Sequence, residues 1–149
     1  MTIDQLQTTD YQKTIRLQAS ASEVFDALTT LTSLSSWWTR ATGFGEADGE
    51  LRFFFDSPTD ACVMRVDQAD RPTLVEWTVT ECAFLPDWVG TRPAFTITPV
   101  ENDGSELHFR HHGLTPELAC IEMCTLGWNS YLTSLRRYVE SGQGSPFGS

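Results

Sequence analysis

The sequence has no long apolar run and comparatively few basic residues. No segment reaches the roughly 18 consecutive apolar residues of a membrane-spanning helix, and residues 1–5 lack the basic start and apolar stretch of a signal peptide. Ten basic against twenty acidic residues give a formal net charge of -10, which repels phosphate backbones and anionic lipid headgroups. We therefore expect a cytoplasmic protein that neither binds nucleic acid nor inserts into a membrane.

The motifs of the common cofactor and hydrolase sites are missing as well. The glycines around Phe44 do not form the G-x-G-x-x-G fingerprint of a dinucleotide fold, and no G-x-S-x-G nucleophile motif occurs. The sequence thus predicts no cofactor and gives no order of Ser, His and acidic residues from which a catalytic triad can be argued.

The cysteines and histidines do not show the spacing of a metal site. Cys120 and Cys124 share a helix face four residues apart but find no further ligands nearby in sequence, and no C-x-x-C pair is present. His108 and His112 would lie about 13 Å apart along a strand, and His111 would face the opposite side. We predict no metal, and we interpret the four cysteines as reduced, small apolar core residues.

Aromatic side chains are abundant, with five Trp and nine Phe in 149 residues. This length fits one domain, which we place at residues 11–147, and the polar residues 1–10 are expected to be a flexible segment. Many of these aromatic residues fall in segments with a regular apolar period, so their side chains should face inward. These rings can either fill a core or line a pocket.

The first third of the chain predicts a strand followed by two short helices. Alternation of apolar residues indicates a half-buried strand over 11–18. Ser20 and Glu23 have the spacing of a capping box, which predicts a helix over 21–30. A second short helix, over 33–39, carries two consecutive tryptophans.

From Gly43 onward the apolar pattern changes to a period of two. Tight turns are predicted at Asp48-Gly49 and Asp103-Gly104. The strands predicted from this pattern are 50–55, 61–68, 73–82, 93–100 and 106–112. Short strands joined by tight turns are typical of an antiparallel sheet in an α+β domain rather than of βαβ units.

A long amphipathic helix closes the chain, predicted to open at Thr115-Pro116 and to stop at Gly142. Its apolar stripe alternates steps of three and four residues and consists of Leu118, Ile121, Thr125, Trp128, Leu132, Leu135 and Val139. Such a helix must bury one face against the sheet. The Gly/Ser-rich residues 142–149 are expected to be a mobile tail.

This order of elements resembles the SRPBCC superfamily, and within it the subgroup named after the heat-shock-protein ATPase activator. The resemblance rests on Ala19-Ser20-Ala21-Ser22-Glu23-Val24-Phe25-Asp26-Ala27-Leu28, on Trp37-Trp38, on Leu107-His108-Phe109-Arg110-His111-His112-Gly113-Leu114, and on Gly127-Trp128-x-x-Tyr131-Leu132-x-x-Leu135. It covers residues 11–147. It implies a helix-grip fold, in which a curved antiparallel sheet wraps around the C-terminal helix with a cavity between them, as in START lipid-transfer domains and polyketide cyclases.

The periods of the strands and of the helix together predict which side chains face that cavity. Residues two apart in a strand share one face, and residues three or four apart in a helix do so as well. The candidate ligand-binding residues are Phe53, Phe55, Met64, Trp77, Phe95, Phe109, His111, Thr125 and Trp128. His111 is the candidate for a catalytic role, because a buried histidine needs either a protein partner or a ligand. Asp87, Trp88 and Arg92 are expected to rim an entrance.

Three functions are compatible with this reading. The first is binding of a small hydrophobic molecule, lipid-like or aromatic, in an internal cavity. The second is a cyclase-like or hydrolytic enzyme in which His111 moves protons. The third is a cochaperone-like module that contacts a chaperone through exposed residues such as Phe54 and Trp88. The eukaryotic activators of the superfamily carry an additional N-terminal domain for chaperone contact, for which these 149 residues leave no room.

Overall fold

The computed structural model describes residues 10–55 and 60–147. The predicted flexible segment 1–10 lies outside the described residues except for Asp10, which forms an ion pair with Arg110. Within the described chain there are three α-helices, which we call α1 (Ala21–Thr29), α2 (Leu31–Trp37) and α3 (Ile121–Ser141). None of these helices is long and apolar enough to cross a membrane.

The described strands form one antiparallel sheet. They are β1 (Tyr11–Leu17), β2 (Arg40–Gly43), β3 (Glu50–Phe54), β4 (Ala61–Asp70), β5 (Leu74–Cys82), β6 (Arg92–Val100) and β7 (Gly104–His112). Their spatial order is β1-β7-β6-β5-β4-β3-β2, so consecutive strands from β2 to β7 pair as hairpins and β1 pairs with β7. Two register shifts between β4 and β5 bend the sheet, as β-bulges do.

The long helix α3 lies in the concave face of this sheet and is fixed at several points. The Tyr11 hydroxyl in β1 donates to Asn129 Oδ1 at 2.6 Å, and the Ser134 hydroxyl donates to the Trp37 carbonyl at 2.7 Å. Trp128, Leu132 and Leu135 are buried against the sheet. The helix-grip α+β architecture predicted from the sequence is therefore confirmed.

Local signals account for most of the element boundaries. In α1, Ser20 and Glu23 form the predicted capping box in both directions, at 3.2 and 3.0 Å. Asp48 and Asp103 adopt positive φ values at the two predicted turns, where a short polar side chain tolerates this conformation. These contacts are local in sequence, which is why the pattern predicts them.

Three boundaries differ from the prediction. The second helix runs over Leu31–Trp37 rather than 33–39, and α3 begins at Ile121 rather than at Thr115. Residues 115–120 instead form successive turns with i to i+3 hydrogen bonds, such as Leu118 N to Thr115 O at 3.1 Å. The edge strand β2 was not predicted, because its four residues show no alternation and it is defined by its pairing with β3.

Candidate functional site

A cavity of about 320 Å³ lies at one end of the sheet, between the first half of α3 and the connection from β5 to β6. Its described wall consists of Trp38, Phe55, Cys62, Phe84, Leu85, Trp88, Met123, Cys124, Gly127, Trp128, Tyr131 and Phe147. Seven of these twelve residues are aromatic. The volume falls in the lower part of the range of small-molecule sites.

Trp38 connects this wall to the hydrophobic core. It follows α2 directly and is 2% exposed. Its ring lies 5.2 Å from that of Trp128 and 4.3 Å from that of Phe53, measured between centroids. The tryptophan pair noticed in the sequence therefore has divided roles: Trp37 is buried and donates to the Ala27 carbonyl, while Trp38 reaches the cavity.

The β5 to β6 connection supplies the opposite wall. A short 3-10 helix, Pro86–Trp88, turns the Trp88 indole inward, where its ring stacks parallel to Trp128 at 6.0 Å between centroids. The Trp88 Nε1 donates to the Cys124 sulfur at 3.2 Å. Trp88 is only 7% exposed, so it lines the cavity and does not present the exposed contact surface that we predicted for it.

Gly127 lies in the interior of α3 and forms part of the cavity wall. A Cβ atom built at this position would meet nothing within 4 Å. Glycine costs roughly 1 kcal/mol relative to alanine inside a helix. The chain thus keeps a destabilising residue at a point where any larger side chain would project into open space beside the cavity.

The segment after α3 forms the last part of the wall instead of a mobile tail. The backbone N–H of Phe147 donates to the Trp38 carbonyl at 2.6 Å, and that of Ser145 donates to the Ser134 hydroxyl at the same distance. At Gly144 an added Cβ would lie 2.6 Å from the Ser36 carbonyl oxygen, so the close approach requires glycine. Residues 148 and 149 lie outside the described chain.

His111 is buried next to the cavity wall with both ring nitrogens engaged. The Trp128 indole can only donate, so the 3.0 Å contact with Nδ1 makes that nitrogen an acceptor and puts the proton on Nε2. Nε2 then donates to the Thr91 hydroxyl at 2.8 Å, which in turn donates to the Trp88 carbonyl. Burial lowers the pKa of His111 from 6.5 to about 3. The ring is a neutral structural link between α3, β7 and the loop that carries Trp88.

The ionisable side chains of the wall all favour their neutral forms. Burial, reinforced by the neighbouring Cys120 thiol, raises the pKa of Cys124 to about 12. A hydrogen bond with Cys82 and burial raise the pKa of Cys62, and burial also raises the pKa of Tyr131. These shifts identify a weakly polar environment without a nearby cation that stabilises negative charge.

Only two of the nine side chains predicted to contact a ligand lie in this wall, namely Phe55 and Trp128. Six others are fully buried in the adjacent core: Phe53, Met64, Trp77, Phe95, Phe109 and His111. Thr125 is partly buried on α3 outside the wall. Trp77 stacks on Trp38 at 6.1 Å, and its Nε1 has no hydrogen-bond partner among the described residues. The periodicity of the strands and the helix placed these side chains on the inward face. They pack closely and fill the centre of the fold, however, so the cavity lies at the end of the sheet.

The wall residues that the sequence did not single out as ligand contacts come mainly from irregular or helix-terminal segments. Phe84, Leu85 and Phe147 belong to a connection and a terminal segment, where periodicity carries no information. Gly127 had a detectable signal, because a glycine within a long amphipathic pattern indicates a local requirement for space. In the loop predicted to rim an entrance, Trp88 reaches the wall whereas Asp87 and Arg92 do not.

Within residues 10–55 and 60–147, no three His, Cys, Asp or Glu side chains are grouped so that they could hold a metal ion. Cys62 and Cys82 face each other in the register of β4 and β5, and all four cysteines are free thiols.

Solved structures similar to this chain share its fold. The solution structure of the Aha1 dimer from Colwellia psychrerythraea aligns with a TM-score of 0.77 at 24% identity, covering 91% of this chain and 99% of that protein. CalU16 from Micromonospora echinospora aligns with a TM-score of 0.70 at 17% identity, covering 90% and 75%. DynU16, a putative protein in the dynemicin biosynthetic locus, aligns with a TM-score of 0.68 at 18% identity, covering 89% and 48%. At these identities the similarity establishes the fold and not the function.

Sequence comparison defines the family. No curated protein sequence matches the chain, but the family model described as "Activator of Hsp90 ATPase homolog 1-like protein" matches residues 18–140. That span begins just after β1 and runs nearly to the end of α3, and therefore includes β2 to β7, most of the long helix and most of the cavity wall. The resemblance predicted from the sequence motifs is confirmed, and the chain belongs to the Activator of Hsp90 ATPase homolog 1-like family.

Proposed function

We propose that the protein binds a small apolar molecule in the cavity between α3 and the β5 to β6 connection. The observation that carries this proposal is Gly127, a helix-interior glycine whose missing side chain would otherwise project beside the cavity. The rim supports it, because Phe84, Met123 and Phe147 are 44%, 63% and 39% exposed and can cover an incoming ligand. Apolar burial of about 300 Å² would contribute roughly 7 kcal/mol before association costs.

The function we propose is binding without covalent chemistry. His111, the candidate catalyst, has both nitrogens occupied by Trp128 and Thr91, and its burial keeps it neutral. A general acid or base must reach the proton that it transfers. An enzymatic role would therefore require breaking the contacts that hold His111 in place.

We propose the cytoplasm as the compartment of this binding. The four cysteines support this, because they are free thiols even where Cys62 and Cys82 lie opposite each other in the sheet. Reducing compartments preserve such thiols.

The proposal is tested by calorimetric titration with two neutral probes, 2-naphthalenemethanol and 1-decanol. We expect at least one to bind and to raise the melting temperature by mass action. Phe147→Ala should weaken that binding, because Phe147 lines the cavity and packs edge-on against Phe55 at 5.3 Å. The matched control is Phe44→Ala, since Phe44 is 71% exposed and lies outside the wall. Absence of binding by both probes would refute the proposal.

A second candidate function is contact with a chaperone, which the family description favours. Leu126 and Met123 support it, because they are 70% and 63% exposed and lie close together on α3. Exposed apolar residues at such spacing can form part of a protein interface. Titration with a purified Hsp90 chaperone tests this, and Leu126→Ser should weaken any contact while leaving binding of the naphthalene probe unchanged.

A further inference from the structure

The cavity wall is mostly aromatic and carries no basic side chain, which restricts the charge and the shape of the ligand. Resting on the function proposed above, we infer that the cavity selects an uncharged aromatic molecule of about two fused rings over a carboxylate of the same shape and over a fatty acid. Three properties of the wall lead to this inference: its lack of a counter-charge, its aromatic surface and its volume.

The described wall offers no cation that could pair with an anion. None of the described side chains that line the cavity is basic. The two indole N–H groups of Trp88 and Trp128 are already donated to the Cys124 sulfur and to His111 Nδ1. A carboxylate drawn into this cavity would lose its hydration without gaining a cation or either of these donors, which is unfavourable.

The pKa values of the wall's own ionisable groups also show that the cavity disfavours negative charge. Burial raises the pKa of the Cys124 thiol to about 12, and burial likewise raises the pKa of the Tyr131 phenol. Each shift means that the negatively charged form is disfavoured at this place. A buried ligand carboxylate would meet the same penalty.

Aromatic side chains give the wall its preference for rings over alkyl chains. Phe55 packs edge-on against Phe84 at 5.7 Å and against Phe147 at 5.3 Å, so ring edges and faces both border the cavity. Met123 and Cys124 add polarisable sulfur, which makes favourable contacts with aromatic rings. A flat aromatic ligand can use both kinds of contact, whereas an aliphatic chain gains only from area.

The volume sets the size of the ligand. An apolar cavity of about 150 Å³ holds one benzene molecule. The present cavity, at about 320 Å³, is roughly twice as large and so fits two fused rings.

The test compares probes that differ in one property at a time. The pair 2-naphthalenemethanol and 2-naphthoate differs in charge at nearly constant shape, while 1-decanol and decanoate form the aliphatic pair. Affinities are measured by calorimetry near neutral pH at about 0.1 M and about 0.5 M NaCl. The higher salt concentration shortens the Debye length below about 5 Å and so screens the repulsion between an anion and the net charge of -10. Salt does not restore the hydration that a buried carboxylate loses.

We expect 2-naphthalenemethanol to bind at least about tenfold more tightly than 2-naphthoate at both salt concentrations, and more tightly than either decyl compound. Gly127→Leu should abolish this binding, because the leucine side chain would enter the space in which an added Cβ meets no neighbour. Ser130→Leu is the matched control, since Ser130 lies exposed on the same helix outside the wall. Both variants are checked for cooperative thermal unfolding.

Several outcomes would overturn the inference. If 2-naphthoate binds within threefold of the alcohol at high salt, or if decanoate or 1-decanol binds most tightly, the selectivity is refuted while apolar binding itself stands. If folded Gly127→Leu binds as tightly as the wild-type protein, the cavity is not the site and both proposals fail. Both also fail if neither alcohol binds to the wild-type protein.

Discussion

At the scale of single residues, His111 shows how one polar side chain can connect several parts of a cavity wall. Its two nitrogens bind Trp128 and Thr91, and Thr91 in turn holds the carbonyl of Trp88. Two of the wall's indoles, Trp88 and Trp128, are thereby fixed relative to each other through one imidazole. Such a network rigidifies a core when every member is satisfied.

This network predicts a specific dependence of stability on pH. The pKa of His111 is lowered from 6.5 to about 3, so between these values the unfolded state binds a proton that the folded state excludes. The free energy of unfolding should therefore fall as pH decreases through this window, by at most about 1.4 kcal/mol per pH unit, and the contribution is complete above 6.5. NMR of the imidazole nitrogens at about pH 5 should show a neutral ring with the proton on Nε2.

Two variants separate the contribution of His111 from the loss of stability that other titrating groups cause in acid. His111→Gln should destabilise the protein at neutral pH but flatten the decline in stability below pH 6.5, because the titrating group is gone. His108→Gln serves as the control, since His108 bonds to Thr14 on the other face of the sheet. An imidazole titration of His111 with a midpoint near 6.5 would contradict the assigned network.

At the scale of elements, α3 and its C-cap carry two glycines in different backbone conformations. Gly127 lies in the helix interior beside the cavity, and Gly142 caps the C-terminus at φ +85°. An added Cβ would meet nothing within 4 Å at either position, so the two sites differ in backbone conformation and not in crowding. This makes them a matched pair for separating helix propensity from backbone strain.

We predict stability changes of opposite sign for these two positions. Gly127→Ala should raise the free energy of unfolding by about 0.5 to 1 kcal/mol, because alanine restricts the unfolded chain and favours the helix. Gly142→Ala should lower it by about 1 kcal/mol, because the left-handed conformation strains a residue with a Cβ. Chemical denaturation measures both values. A destabilised Gly127→Ala variant would show that the space beside Gly127 is not open.

The same elements show which features the sequence could predict. Alternation along β3 to β7 is a local pattern and predicts that Trp77 and Phe95 face inward, while the three-and-four spacing in α3 predicts the same of Trp128; all three are buried. Whether inward side chains leave a cavity depends instead on packing between distant elements. Trp38, Trp77 and Phe53 fill the centre of the fold, with centroids 4.3 to 6.1 Å apart, which no periodicity encodes.

The terminal segment was mispredicted for a related reason. Its composition of glycine and serine is typical of mobile tails. In the structure, however, Gly144 permits close approach to Ser36, and Ser134 and Trp38 accept the backbone hydrogen bonds that fix residues 145 and 147. The same glycine that makes this segment resemble a flexible tail in the sequence allows its backbone to pack closely against α2. Only the position of α2 beside α3 in the structure reveals this contact.

At the scale of the whole molecule, the excess of acidic residues is the dominant electrostatic feature. The net charge of -10 makes the folded state repel itself, and compaction increases this repulsion. Opposing it are ion pairs with accessible cations, such as Arg65 with Asp67 and Arg136 with Glu140. Pairs of this kind contribute only about 0 to 1 kcal/mol each.

Because the net charge is -10 and each of these ion pairs is weak, we predict that salt stabilises the protein at neutral pH. Raising NaCl from about 0.02 M to about 0.5 M should increase the free energy of unfolding measured in urea, since screening weakens interactions beyond the Debye length first. Near pH 4.5, the isoelectric point of the sequence, the net repulsion vanishes and the effect should disappear or reverse. KCl should act like NaCl, which distinguishes screening from ion-specific effects on apolar burial. A loss of stability with added salt at both pH values would show that local ion pairs, and not the net charge, govern the folded state.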